Sequence, residues 1–243
     1  ETAASLRALG LEVTVLEATE RVLERVTAPE VSAFFDRIHR EAGVNIQTGA
    51  RVEALSGDGK VGEVVLAGGE SISADLVIVG IGVEPNTELA AAAGLVVDNG
   101  VVIDDQAQTS DSAIMAAGDC VSHDMARYGR RIRLESVPSA AEQAKVAAAT
   151  LCGKSKKISA LPWFWSDQYD LKLQIAGLNT GYDEVVLSGD PTRDRDFTCF
   201  YLRAGELIAA DRINRPRDFM FSKRVITQQV PVERAELMLA GSV

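Results

Sequence analysis

The stretch Thr109-Ser110-Asp111-Ser112-Ala113-Ile114-Met115-Ala116-Ala117-Gly118-Asp119-Cys120 places the tightest limit on what this 243-residue chain can become. It reads as a short apolar strand, Ile114 to Ala117, that stops abruptly on a glycine and an acid. Buried strands of this kind belong to α/β sheets, whose ligands bind beyond the carboxyl ends of the strands. Gly118 permits a close backbone approach to a bound molecule, and Asp119 offers a charged acceptor to a ligand hydroxyl. The pattern predicts an α/β fold with a ligand at the edge of its sheet.

The first residues add a second signal of the same kind. Thr2 to Leu9 has the pattern of an amphipathic helix stopped by Gly10, and Glu12 to Glu17 is a β-rich strand ending in an acid. In a βαβ dinucleotide-binding unit a glycine-rich turn opens the helix, and an acid about 20 residues on binds the adenine ribose. Glu17 stands where that acid belongs. The glycine-rich turn and first strand belong immediately before Glu1, so an N-terminal part of the natural protein is expected to precede this chain.

Further along, Pro29 to Ala42 reads as a helix with Val31, Phe34, Phe35 and Ile38 on one side. Strands follow at Asn45 to Gln47, Arg51 to Leu55 and Val61 to Leu66, with Asp58-Gly59 as a turn. Asp75 to Ile81 is continuously apolar, as strands buried in parallel sheets are. It runs into Gly80-Ile81-Gly82, where a ligand can meet bare backbone, and Pro85-Asn86 start a helix over Thr87 to Ala93. Asp98-Asn99-Gly100 signals a hairpin. Pro138 opens an alanine-rich helix, Ser139 to Leu151, whose N-terminus offers free N–H groups and positive potential. After a polar linker, Lys154 to Ala160, strands at 171–176, 184–187, 196–202 and 206–211 predict an antiparallel sheet. Helices over 218–228 and 232–239 are expected to cover it. The expected division is 1–97, 98–153 and 154–243, the last an α+β domain.

Charge and cysteine count exclude several function classes. Residues 1–120 hold 7 Lys+Arg against 20 Asp+Glu, and residues 121–243 hold 18 against 15. A basic second half suits an acidic partner, yet no basic run is dense enough for nucleic acid. The longest apolar run, Leu76 to Val83, is too short to span a bilayer. Three widely spaced cysteines indicate neither a disulfide framework nor a zinc site, which agrees with a reducing, cytoplasmic compartment. His39 reads as a helix-surface residue and His123 as a loop residue.

Five segments together carry a family resemblance. They are 21–29 (Arg-Val-Leu-Glu-Arg-Val-Thr-Ala-Pro), 74–78 (Ala-Asp-Leu-Val-Ile), Gly118-Asp119-Cys120, Glu135-Ser136-Val137-Pro138, and 162–169 (Pro-Trp-Phe-Trp-Ser-Asp-Gln-Tyr). The chain resembles, essentially end to end, the carboxyl-terminal three-fifths of oxygenase-coupled ferredoxin reductases of the putidaredoxin reductase type. The 109–120 segment is similar to the second flavin fingerprint of that family. The resemblance implies a partial two-dinucleotide-binding-domain flavoprotein reductase fold, with 1–97 as the NAD-binding domain and 98–153 as the second segment of the FAD-binding domain.

It further implies FAD and NAD as cofactors and hydride transfer from NADH to flavin. Electrons then pass singly to a [2Fe–2S] ferredoxin that serves a cytochrome P450 or a ring-hydroxylating oxygenase. By the same resemblance Glu1 is the catalytic acid facing the flavin, Glu17 holds the adenine ribose and Gly82 approaches NAD. Asp119 contacts the ribityl chain, and Val137 offers backbone contact to the isoalloxazine. Trp165 lies beside the flavin and the ferredoxin-docking surface. Charge adds Arg133 and Lys145 to that surface, because the small ferredoxins of such systems are typically acidic and the first half of the chain would repel them. Two other readings stay open. One is a disulfide reductase, whose His-Glu base would have to come from a carboxyl-terminal domain that holds no histidine. The other is an NAD-binding interaction protein resembling the cell-death flavoproteins.

Overall fold

The computed structural model describes residues 1–239. In chain order the elements are α1 (Thr2–Ala8), β1 (Thr14–Leu16), α2 (Pro29–Glu41), β2 (Asn45–Gln47), β3 (Val52–Ser56), β4 (Glu63–Leu66) and β5 (Ser71–Ser73). Next come α3 (Glu88–Ala92), β6 (Val101–Ile103), β7 (Val121–Met125), a 3-10 turn at Ala126–Tyr128, β8 (Arg130–Arg133) and α4 (Val137–Leu151). The last are β9 (Trp163–Gln168), β10 (Leu171–Gly177), β11 (Glu184–Ser188), β12 (Phe197–Arg203), β13 (Glu206–Ile213), α5 (Pro216–Gln228) and α6 (Arg234–Leu239). Contacts divide the chain into two compact units, one of Glu1–Gly80 with the residues from Trp165 on, the other Ile81–Phe164.

In the first unit β1 and β2 pair in parallel, with Thr14 opposite Asn45, and α2 makes the crossover between them. Pro29 stands at the start of α2, where its missing N–H costs nothing. Val31, Phe34, Phe35 and Ile38, one face at i, i+3, i+4 and i+7, are all buried, as their spacing predicts. Each contributes roughly 1.5–3 kcal/mol of burial. Phe34 meets Phe197 of β12 edge to face at 5.0 Å. β3, β4 and β5 form an antiparallel meander. The carboxyl-terminal residues build a five-stranded sheet in the order β11-β12-β13-β10-β9, antiparallel along β11-β12-β13-β10, which leaves β9 on one edge. Val186, Phe200, Leu202 and Ala210 cluster with Leu237 of α6 on its face.

A buried polar link ties α2 to this sheet. Tyr201 of β12 donates its hydroxyl hydrogen to Asp211 Oδ2 of β13 and accepts the backbone N–H of Ala28 at 2.8 Å. Ala28 is the N-cap of α2, and Tyr201 and Asp211 are fully buried. Burial pushes the Asp211 carboxyl up to about 8, so it is protonated at neutral pH. Between the ordinary carboxylate value and 8 the folded chain then holds a proton that the unfolded chain has lost. Stability from this group is greatest at acid pH and declines as pH rises through that window. Removing the hydroxyl in Tyr201→Phe orphans the Ala28 N–H and is expected to cost about 1–3 kcal/mol. Urea unfolding measures it, and an unchanged midpoint refutes an energetic role for the link.

The second unit is built on β6, β7 and β8, with β6 parallel and β8 antiparallel to β7. Val146 and Ala147 of α4 pack on Val101, Ile103 and Val121 of this small sheet. Two expected strands differ from the sequence reading. Asp75 to Ile81 forms no ladder, and Leu76, Ile78, Val79 and Ile81 are exposed, because no strand among the described residues runs beside them. Ile114 to Ala117 is reduced to one bridge, Met115 with Gln108. His39 and His123 also differ, since both are buried and His123 lies on β7.

Candidate functional site

In the second unit the Gly118-Asp119 corner is fastened to the start of α4. Gly118 adopts φ +103°, a conformation in which a Cβ would be strained although the space around it is open. Its N–H donates to Gln143 Oε1 at 2.7 Å, Gln143 Nε2 donates to Ser139 Oγ at 3.3 Å, and the Ser139 N–H donates to Ser136 Oγ at 3.4 Å. Ser136 is the N-cap of α4, so this relay runs from the corner to the residue before Val137. Gln143 is buried, and sequence reasoning missed it. The one available signal was a lone long amide on an otherwise alanine-rich helix.

The arrangement leaves two groups turned to solvent. The Asp119 carboxylate is exposed and makes no hydrogen bond among the described residues. Val137 is 68% exposed at the first turn of α4, where free N–H groups concentrate positive potential. A charged acceptor and an exposed helix N-terminus, held by one hydrogen-bond relay, fit the second half of a flavin site. In that site Asp119 would take a ribityl hydroxyl and the Val137 backbone the electron-rich ring edge. Gly82 lies in an exposed loop at φ +110°, with nothing within 4 Å of a Cβ.

Arg133 has a different place from the docking surface expected of it. Its side chain is 11% exposed and pairs with Glu135 at 2.6 Å. It also donates to Asn99 Oδ1 and to the Asp119 carbonyl, each at 3.2 Å. The guanidinium is a staple inside the Asp119 corner, its charge already neutralised. Arg131 is likewise paired, with Asp98 and Asp124. Lys145, on the exposed side of α4, has no ion pair among the described residues.

In the first unit Glu17 ends β1, and its Oε1 accepts from the Thr19 N–H at 2.9 Å and the Thr19 hydroxyl at 2.8 Å. Oε2 makes no hydrogen bond among the described residues, so one carboxylate oxygen remains for a ribose. Glu1 caps α1, and its Oε1 accepts the backbone N–H of Asp167 at 2.9 Å. The expected catalytic acid is thereby brought to β9, two residues from Trp165, which is 41% exposed. His39 has both ring nitrogens engaged, Nε2 with Gln168 and Nδ1 with Tyr169, and burial lowers its pKa. Burial lowers that of His123 as well. Among the described residues no group of His, Cys, Asp and Glu could hold a metal ion, and no helix is long and apolar enough to cross a membrane.

Known proteins share both the sequence and the fold of this chain. Residues 1–144 match the family described as pyridine nucleotide-disulphide oxidoreductase, and residues 163–240 match that described as reductase C-terminal. Putidaredoxin reductase CamA of Pseudomonas putida is 50% identical over 236 residues, 96% of this chain and 56% of that protein. The crystal structure of a covalent putidaredoxin reductase–putidaredoxin complex superposes with a TM-score of 0.93 at 49% identity, covering 99% of this chain and 58% of that one. A ferredoxin reductase for the CYP199A2 system from Rhodopseudomonas palustris gives a TM-score of 0.93 at 43% identity, over 97% of this chain and 58% of that one. The chain thus spans a little over half the length of these relatives. It belongs to the pyridine nucleotide-disulphide oxidoreductase family and carries that family's α/β architecture with a reductase C-terminal domain behind it.

Proposed function

We propose that the full-length protein is an FAD-dependent NADH:ferredoxin oxidoreductase. In this reading it passes electrons from NADH to a [2Fe–2S] ferredoxin that serves a cytochrome P450 or a ring-hydroxylating oxygenase, in the cytoplasm. The observation that carries it is the Gly118-Asp119 corner fastened through Gln143 to the α4 N-terminus. End-to-end likeness to a reductase solved together with its ferredoxin supports it. Residues 1–97 supply the NAD-binding segment, 98–153 the second FAD segment and 154–243 the carboxyl-terminal domain. Bound FAD supplies the chemistry of taking a hydride and releasing single electrons.

The chain's own residues bind and orient. Asp119 accepts a ribityl hydroxyl, and the Val137 backbone meets the isoalloxazine. Glu17 accepts the adenine ribose hydroxyls, and Gly82 lets the NAD approach bare backbone. Glu1, the acid assigned to the flavin face, is anchored on the Asp167 N–H. A disulfide reductase needs a carboxyl-terminal histidine base, and both histidines of this chain precede residue 124. Ferredoxin-dependent reduction of cytochrome c by the full-length protein with NADH tests the proposal. Turnover that does not depend on added ferredoxin overturns it.

Lys145 and Trp165, each on its own unit, are assigned to contact with the ferredoxin, and Arg133 acts through the Asp119 corner. Acidic ferredoxins are steered by exposed cations, so charge loss acts mainly on association rate and its salt dependence. Lys145→Glu is expected to slow ferredoxin reduction about three- to tenfold at low ionic strength, with convergence to the parent rate at high salt. Stopped-flow reduction across ionic strength checks it. A parent-like rate and salt slope place docking elsewhere.

A further inference from the structure

Strand β9 lies on the edge of its sheet, with a ladder on one side only. Three consecutive residues at its carboxyl end are nonetheless pinned by the first part of the chain. The Asp167 N–H donates to Glu1 Oε1 at 2.9 Å, Gln168 Oε1 lies 2.8 Å from His39 Nε2, and the Tyr169 hydroxyl lies 2.9 Å from His39 Nδ1. Gln168 Nε2 donates to Ser166 Oγ at 3.1 Å, which turns its amide so that the oxygen faces the histidine. His39 Nε2 must then carry the hydrogen, and Nδ1 accepts from Tyr169. Tyr169 adopts φ +57°, a costly conformation for a residue with a side chain, at the corner between β9 and β10. Its ring also meets His39 edge to face at 5.1 Å.

We propose that His39 is a positioning residue for the ferredoxin-docking strand: from α2 it clamps the β9–β10 corner and so fixes how Trp165 is presented. This rests on the ferredoxin reductase reading given above. Nothing in the hydride step needs a buried imidazole on α2, yet both its nitrogens are spent on two adjacent residues of one corner. Gln168 is buried, and Trp165 and Asp167 alternate with it on the exposed face of the strand. A slackened corner therefore moves the exposed tryptophan. The effect falls first on a protein partner that reads this surface.

The chain holds two tryptophans, Trp163 and Trp165, both on β9, so the tryptophan emission that these 243 residues contribute comes from this strand. The full-length reductase is compared with His39→Phe, which keeps a ring and removes both hydrogen bonds, and Tyr169→Phe, which removes one hydroxyl. Acrylamide quenching of tryptophan, KM for putidaredoxin as the probe, and NADH-driven ferricyanide reduction are measured. The expected result is altered quenching and a KM raised about three- to tenfold in His39→Phe, with ferricyanide turnover within about twofold of the parent. Tyr169→Phe moves the same quantities less, and it decides the matter if His39→Phe does not fold. Unchanged quenching and KM overturn the proposal, as does an equal loss of both activities. A parent enzyme that cannot reduce putidaredoxin overturns the functional reading instead. The quenching arm still judges the clamp by itself.

Discussion

Replacing Asp119 by alanine in the full-length protein is expected to weaken flavin binding about ten- to a hundredfold, the worth of one hydrogen bond to a charged group. The carboxylate has no partner within the described chain, so the substitution removes no internal contact. Its backbone stays fixed from two directions, by Gln143 on the Gly118 N–H and by Arg133 on the Asp119 carbonyl. Loss of affinity in Asp119→Ala is therefore not confounded by collapse of the corner. Asp119→Asn keeps an acceptor without the charge and is expected to fall between alanine and the parent. Flavin retention through gel filtration, followed by titration of the apoprotein, measures the series. Unchanged retention in Asp119→Ala refutes the assignment.

The legible elements were those with a clean apolar pattern, whereas β7 (Val-Ser-His-Asp-Met) and β8 (Arg-Arg-Ile-Arg), too polar for one, went unread although they pair within the chain. The buried face of α2 and strands β10 to β13 follow from spacing alone, and their partners, Phe197 for Phe34 and β12 for β13, belong to the same 243 residues. Asp75 to Ile81 has the composition of a central strand, yet composition cannot supply the ladder that makes one. The Asp58-Gly59 turn, by contrast, joins β3 to β4 as its residues indicate. There a Cβ on Gly57 would lie 1.9 Å from the Lys60 carbonyl oxygen.

Side-chain duties were harder to read than elements. Asp119 and Val137 are both exposed, but Gln143, which links the Gly118 N–H to the Ser139 hydroxyl, carries no signature beyond its place on a helix. His39 occupies the i+8 position after Val31 on the buried face of α2, and its polarity alone suggested the surface. Arg133 was read as a surface cation because sequence displays charge and hides the partner that neutralises it, here Glu135.

The parent enzyme is expected to favour NADH over NADPH by roughly 30- to 1000-fold in kcat/KM, the scale of several kcal/mol for juxtaposed like charges. Glu17 places a carboxylate just past β1, and at the ribose site proposed for it hydroxyls are welcome and a 2′-phosphate is repelled. A cation nearby would cancel that repulsion, and Arg21 is four residues on. Its guanidinium is already consumed: Nη1 donates to the Thr27 carbonyl at 2.9 Å and to the Ser32 hydroxyl, and Nη2 donates to the Glu24 carbonyl at 3.0 Å. Reaching a phosphate would give up all three contacts, among them the one to the carbonyl of buried Thr27. Thr19 meanwhile grips one Glu17 oxygen from its own N–H and hydroxyl, which holds the carboxylate in place. Glu17→Gln should therefore narrow the preference by removing the repulsion without reversing it, since Arg21 stays in its cage. Steady-state kinetics with both nucleotides decide the matter. Equal efficiencies in the parent remove Glu17 from the ribose site, and an NADPH-preferring Glu17→Gln shows that Arg21 leaves its acceptors for the phosphate.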